Sequence, residues 1–263
     1  MLNKTIRVRW SIRKRNIYAD VRDDHALFQI HRNIDGVVTL VEDRNVTRVA
    51  YRQQRTEMLA LMPSHCTRVL EIGCDEGDFA THLEGEVWGI EPDVAAATIA
   101  TGRLHRVLVG TFDAMCEELP VGYFDVVVCN DVIEHMPDHD RFLRQIGAYM
   151  APGGVLVGSV PNMRHYRALF ELLVLRDWDY RDSGVLDRTH LRFFTARSLR
   201  RSLEHAGFEI ERFQGINGGI RFGLSRQLLP HALFGWAMIV VTLGYWRDIR
   251  FMQFGFRARL AVG

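Results

Sequence analysis

The stretch Val69-Leu70-Glu71-Ile72-Gly73-Cys74-Asp75-Glu76-Gly77-Asp78-Phe79 constrains the fold more than any other part of the chain. Its apolar start, aliphatic and β-branched, suits a strand covered on both faces. Gly73 and Gly77 follow, four residues apart, where a tight turn needs dihedrals or close approaches that a Cβ forbids. Residues 79–83 then read as the opening of a helix. A second apolar run, Val87-Trp88-Gly89-Ile90, ends in Glu91, twenty residues after Glu71. In an open α/β nucleotide fold this is where an acid takes the hydroxyls of a ribose. Two strand ends, each carrying a carboxylate, face one crevice.

The alternation continues along the chain. Pro92-Asp93 opens an alanine-rich helix to Ala100, and residues 107–109 and 124–129 read as third and fourth strands. A helix over 138–150 leads to the turn Pro152-Gly153-Gly154 and a fifth strand, 155–160. A helix over 196–206 stops at Gly207, and residues 208–213 and 251–260 read as sixth and seventh strands. Upstream, residues 46–62 have a helical pattern ended by Pro63. The first fifty residues are a basic segment with short strands at 5–10 and 36–41. Alternating strand and helix makes this an α/β chain with a mostly parallel sheet.

Four pieces in order, Glu71-x-Gly73-x-x-x-Gly77, Glu91, Asp113 and Asp131-Val132-Ile133-Glu134-His135, resemble the class I S-adenosylmethionine-dependent methyltransferases over roughly residues 55–215. The resemblance implies a Rossmann-like sheet of seven strands with helices on both faces. Its seventh strand runs antiparallel between the fifth and the sixth. S-adenosyl-L-methionine is the implied cofactor, with Glu91 on its ribose, Asp113 on the adenine amino group, and Glu71 orienting the turn and the ammonium. Gly73, Asp75, Gly77 and Asp131 complete the implied cofactor set. Asp75 stands where the family often has glycine, and its carboxylate either repels the cofactor's carboxylate or bonds its ammonium.

The resemblance divides the chain into a basic N-terminal segment or cap, 1–50, and a methyltransferase domain, 51–263. Within the domain, residues 161–195 form a connection long enough to be a lid over the acceptor. Its block from Trp178 to Thr195 resembles a segment of methyltransferases associated with glycan and cell-surface polysaccharide assembly. Tyr180, Asp187 and Arg192 are the candidate substrate contacts, with an ion pair of the Asp187–Arg192 type as the alternative structural role. The candidates for the base that takes the hydroxyl proton are His190, His135 and Asp131. Asp131, Glu134 and His135 have metal-ligand chemistry, but no second histidine accompanies them in sequence, so no metal is assigned.

The expected activity is O-methyl transfer to a sugar hydroxyl of a glycan, nucleotide sugar or lipid-linked saccharide. The alternatives are another small acceptor, such as a quinone, lipid or natural product, and a non-catalytic cofactor-binding protein. A nicotinamide oxidoreductase needs G-x-G-x-x-G after the first strand, a spacing that Gly73 and Gly77 do not give. The formal net charge of +1 gives no global field for nucleic acid, so none is expected as a partner. Cys66, Cys74, Cys116 and Cys129 lack C-x-x-C spacing, and the basic first twenty residues lack a signal-peptide core, so the expected setting is cytoplasmic. One further run, residues 227–246, has no charged residue. It is an apolar insertion that packs on the domain, covers a partner in a homodimer, or lies in a bilayer surface beside the basic N-terminal segment.

Overall fold

A computed structural model of the chain describes residues 7–13, 16–23, 26–32, 38–42, 55–220 and 228–261. Outside them lie the ends of the two expected N-terminal strands (Thr5, Ile6, Gly36 and Val37), the first part of the expected helix (46–54), Lys4, Lys14, Arg15 and Gln227. The chain divides into two compact units, residues 1–52 and 53–263.

The first unit is a four-stranded antiparallel sheet in the order β1-β2-β3-β4, formed by β1 (Arg7–Arg13), β2 (Asn16–Asp23), β3 (Ala26–Arg32) and β4 (Val38–Glu42). Its register lines up Trp10 with Ala19, Ala19 with Ile30 and Ile30 with Leu40. The sequence reading found only the outer two strands. Asn16-Ile-Tyr-Ala-Asp-Val and Phe28-Gln-Ile-His carry the same period of two, which is the signal for the inner pair.

The second unit holds a seven-stranded sheet. Its strands are β5 (Arg68–Ile72), β6 (Glu86–Glu91), β7 (Arg106–Val109), β8 (Phe124–Asn130), β9 (Met150–Pro161), β10 (Phe208–Gly218) and β11 (Phe251–Leu260). The order is β10-β11-β9-β8-β5-β6-β7. β9, β8, β5, β6 and β7 run parallel, and β11 pairs antiparallel with both β9 and β10. This is the expected Rossmann-like sheet, with the last strand inserted between the fifth and sixth of the series. Its central strands are apolar on both faces, and alternate residues enter two separate cores. Leu70, Ile72, Val127, Cys129 and Leu156 pack on one side with Phe142, Leu143, Leu199 and Leu203. Val69, Val126, Val128 and Val157 pack on the other with Met58, Leu61, Phe79 and Ala100.

Helices α1 (Val94–Ala100), α2 (Phe112–Met115), α3 (His139–Ile146), α4 (Tyr166–Phe170), α5 (Ala196–His205) and α6 (Leu228–Val241) link and flank the strands. Asp93 caps α1 by accepting from the N–H groups of Ala95 and Ala96, and Thr195 and Ser198 form a reciprocal capping box on α5. Four sequence expectations are corrected here. Residues 79–83 give only one 3₁₀ turn, Ala80–His82, because the crossover from Ile72 to Glu86 is largely used by the turn through Gly73 and Gly77. The described part of the 46–62 helix is likewise a 3₁₀ segment, Thr56–Leu61. Pro152-Gly153-Gly154 sits inside β9 as a register jump, with Phe124 facing Met150 and Val126 facing Val155. β10 also runs past its expected end to Gly218.

The connection 161–195 is pinched at its base by an isolated bridge between Asn162 and Phe194. Between these ends it forms α4 and a π-turn, Glu171–Leu175, that stops at Arg176 in the left-handed region. α4 packs on α6 through Phe170, whose ring lies 5.6 Å from Phe234 and 4.3 Å from His231. Among the described residues no helix is long and apolar enough to cross a membrane. α6 is nevertheless apolar nearly all round and half uncovered. Leu233, Trp236, Val240, Val241, Leu243 and Tyr245 are exposed, as are Leu172 to Leu175 of the π-turn.

Candidate functional site

The carboxyl ends of β5, β6 and β8 are neighbours, and their loops bring the acidic residues of the sequence motif to one edge of the sheet. The turn after β5 is fastened to β6 by the N–H groups of Gly73 and Cys74, which both donate to the Ile90 carbonyl. Gly73 has φ +70°, and a Cβ there would come within 2.8 Å of Val132 Cγ2. Asp75 also lies in the left-handed region, at φ +48°, which aspartate tolerates better than most residues and glycine tolerates best. The family's frequent glycine at this position has the same backbone demand.

Glu71 is buried at the end of β5, and its Oε2 has no hydrogen-bond partner among the described residues. Burial first, then the charges of Glu91, Asp75 and Asp78, push its carboxyl up to about 8, so at neutral pH it holds a proton. Such an orphaned acid in a ring of carboxylates suits a cation. Glu91 is also buried, but both its oxygens are engaged. Oε2 accepts from the Asp75 N–H and Oε1 from the Asp93 N–H, each at 2.8 Å. Burial raises its carboxyl and these two donors oppose the shift. Glu91 therefore braces the glycine turn and the approach to α1 together, a role not foreseen from sequence.

Asp113 opens α2 with its side chain in solvent, 3.7 Å from the Arg141 guanidinium. Beside it lies a hollow of about 110 Å³ lined by Asp113, Met136, Pro137, Asp138, Arg141 and Phe142. Asp131, at φ +53° just past β8, is held by three partners. Oδ1 accepts from Ser159 Oγ at 2.8 Å, Oδ2 accepts from Gln253 Nε2 at 2.6 Å, and Arg55 pairs with Oδ2. Gln253 Oε1 in turn accepts from Asn217 Nδ2 at 2.7 Å. This network joins β8 to β9, β10 and β11. Arg55, Ser159, Asn217 and Gln253 escaped the sequence reading, although polar Ser159 inside the run 155–160 was a signal, since a buried hydroxyl needs a partner.

Past Asp131 the chain makes a 3₁₀ turn, Ile133–His135, on which Glu134 is buried with neither carboxylate oxygen partnered among the described residues. Burial dominates the rise of its carboxyl to about 8, opposed by its own backbone and Arg55. The Glu134 carbonyl accepts from the N–H groups of Leu191 and Arg192, docking the far end of the 161–195 connection on this turn. That contact sets His190 against His135, with ring centroids 4.9 Å apart at 70°. Each ring is oriented by a backbone carbonyl: His135 Nδ1 lies 3.1 Å from the Thr189 oxygen and His190 Nδ1 3.2 Å from the Val185 oxygen. Burial lowers the pKa of His190, opposed by the bond to the Val185 carbonyl and the charge of Asp187.

Of the candidate substrate contacts, Asp187 is buried and accepts from the Thr189 N–H and hydroxyl, a turn-forming arrangement. Arg192 is exposed and donates to the carbonyls of Pro137 and Leu191. Two ion pairs of this connection are Arg181–Glu171 and Arg188–Asp182. Tyr180 is exposed beside Trp178, which lies edge-to-face with Phe193 at 5.3 Å. The structure thus gathers Glu71, Glu91 and the Gly73–Gly77 turn, gathers Glu134, His135 and His190, and leaves Tyr180 on the outer surface.

A family model described as a methyltransferase domain matches residues 30–212. Curated relatives include a probable S-adenosylmethionine-dependent methyltransferase of Mycolicibacterium smegmatis, 34% identical over 154 residues, covering 57% of this chain and 55% of that protein. Another is a ubiquinone biosynthesis O-methyltransferase of Pseudomonas aeruginosa, 31% identical over 144 residues, covering 51% of this chain and 58% of that protein. The chain thus spans little more than half the length of these relatives. A solved Thermotoga maritima SAM-dependent methyltransferase, described as a possible histamine N-methyltransferase, superposes with a TM-score of 0.55 at 21% identity, over 82% of this chain and 92% of its own. One from Archaeoglobus fulgidus gives 0.54 at 18% identity, over 81% and 93%. At those identities the likeness is one of fold.

Proposed function

The chain belongs to the family of methyltransferase domains, whose fold and relatives imply S-adenosylmethionine as cofactor, and from that premise we propose that it is an O-methyltransferase. The observation that carries the proposal is Glu71, a buried, partly unpartnered carboxyl at the end of the central strand, beside Glu91 and the backbone turn at Gly73. These residues fit the cofactor. Glu71 takes its ammonium, the Cβ-free turn admits its methionine end, and the lone pairs of Glu91 not used by Asp75 and Asp93 take ribose hydroxyls. Asp113 and the hollow beside it take the adenine. When bound, the cofactor supplies a methyl group already activated by its sulfonium.

What remains for the chain is to position an acceptor oxygen and take its proton. In a neutral histidine whose Nδ1–H donates to a carbonyl, the basic lone pair sits on Nε2. His190 and His135 both have this arrangement. Asp131 is the less suitable base, because its oxygens are already held by Ser159, Gln253 and Arg55. The acceptor we propose is a sugar hydroxyl of a lipid-linked saccharide. The aromatic faces of Trp178, Tyr180 and Phe193 support the sugar, and the uncovered apolar surface of α6 and Leu172–Leu175 supports the lipid. A phenolic hydroxyl on a prenylated aromatic ring is the second reading, favoured by the relatives named for ubiquinone biosynthesis. Radiolabelled methyl transfer to polyprenyl-linked saccharides and to polyprenyl catechols tests both. Label in neither class, from a chain that binds the cofactor, would overturn the acceptor assignment.

A further inference from the structure

The cluster after β8 supports a second use of the two histidines, which replaces their use as a base whenever an ion is bound, because a ring nitrogen that ligates an ion cannot take a proton. Glu134, His135 and His190 each offer one ligating atom, and these three atoms lie within 4.8 Å of one another. They come from two segments more than fifty residues apart, brought together when the N–H groups of Leu191 and Arg192 dock on the Glu134 carbonyl. We propose that these three side chains bind one divalent transition-metal ion, through a Glu134 carboxylate oxygen and a ring nitrogen of each histidine.

Two observations besides proximity support the assignment. The first is Glu134 itself. It is 1% exposed, and both its oxygens lack a hydrogen-bond partner among the described residues. A buried carboxyl is rarely left so, because the unmade bonds are costly, and a cation facing it removes the cost. The second is the support behind the histidines. A carbonyl oxygen only accepts, so Thr189 fixes the proton of His135 on Nδ1, and Val185 does the same for His190. In the neutral form of either ring the lone pair then sits on Nε2, and a carbonyl behind the other nitrogen is the support that metal-binding histidines use. Bonds of about 2.1 Å to zinc-like ions bring donor atoms about 3 to 3.5 Å apart, so closing the site takes a side-chain movement of roughly an ångström.

Two histidines and one carboxylate suit zinc, cobalt, manganese or ferrous iron and leave coordination positions open. Open positions on such an ion take oxygen, and an acceptor with two adjacent oxygens, a vicinal diol or a catechol, would chelate it and have its hydroxyl acidified. Only this use of the ion rests on the methyl-transfer reading; its binding does not.

The test uses the full chain, stripped with a chelator and titrated with cobalt(II) while its visible absorption is read, and with zinc by calorimetry. One equivalent of each metal is expected, and the first variant, Glu134→Gln, should weaken binding by about 100-fold or more. His190→Asn is the second, in case Glu134→Gln does not fold. Far less than one equivalent in the wild type, or unchanged affinity in the folded variants, overturns the site. S-adenosylhomocysteine binding on the same preparations separates the two claims. If it binds and metal does not, the metal site fails and the methyltransferase reading stands.

Discussion

Glu71→Gln should make the protein more stable and a poorer cofactor binder, and both effects follow from one buried proton. The Glu71 carboxyl has an ordinary value of 4.5 and stands at about 8 in the folded chain. Between those values the native state holds a proton that the unfolded chain has released. Stability from this group is therefore complete below about 4.5 and is lost as pH rises through about 8. Glutamine keeps the shape and cannot ionise. The variant should exceed the wild type by at most about 1 kcal/mol near pH 5, about 3 kcal/mol near pH 7 and about 5 kcal/mol near pH 9.5. Urea unfolding at these three pH values measures the difference, and the similarly shifted Glu134 cancels because it is present in both proteins. The same substitution removes the charge that the cofactor's ammonium would meet, so affinity for S-adenosylhomocysteine should fall by roughly tenfold or more. A stability difference that does not grow with pH, or a glutamine variant less stable at high pH, would refute the reasoning.

Glu91→Ala should cost both binding and folding. It strands the N–H groups of Asp75 and Asp93, for a loss of roughly 2 to 4 kcal/mol, and a denaturant midpoint unchanged from wild type would show that the brace carries no weight. Alanine at His190 or His135 should lower turnover by roughly 10² or more with cofactor affinity held, measured by methyl transfer beside a binding titration. Full turnover in both variants would remove the histidines from the chemistry. The exposed face of α6 should bring part of the protein down with anionic vesicles at low salt, and Val240→Asp with Leu243→Asp should abolish this. Sedimentation that the double variant retains would move the contact elsewhere, and a wild type that stays wholly in the supernatant would leave the face to a second subunit.

Features local in sequence were legible. The central strands of the second unit have strong apolar runs and β10 has a period of two, and the acids at the ends of β5 and β6 follow from where the apolar runs stop. Even the antiparallel final strand was available through the resemblance. Features fixed by the meeting of distant segments were not. In sequence Asp131, Glu134 and His135 lack a second histidine, whereas the fold brings His190 to Glu134 and His135 from the other end of a long connection and leaves Asp131 out of that cluster. The hold of Arg55, Ser159 and Gln253 on Asp131 spans three separate stretches of chain and leaves no spacing to read. Glu91 shows a third limit: a residue type and position can be right for a ligand while the side chain also ties down its own loop. The short turn at Ala80–His82 was missed because helical pattern carries no information on how much of a crossover a tight turn has already used.

The central claim is that the crevice formed by Glu71, Glu91 and the Gly73–Gly77 turn binds S-adenosylmethionine. Calorimetric titration of the purified chain with S-adenosylhomocysteine, in two buffers of different ionisation enthalpy near pH 7, tests it most directly. One site per chain is expected, with a buffer-dependent heat reporting release of the Glu71 proton when the ligand's ammonium group arrives beside it. NAD should give no heat. Saturable binding of NAD with none of S-adenosylhomocysteine would contradict the account.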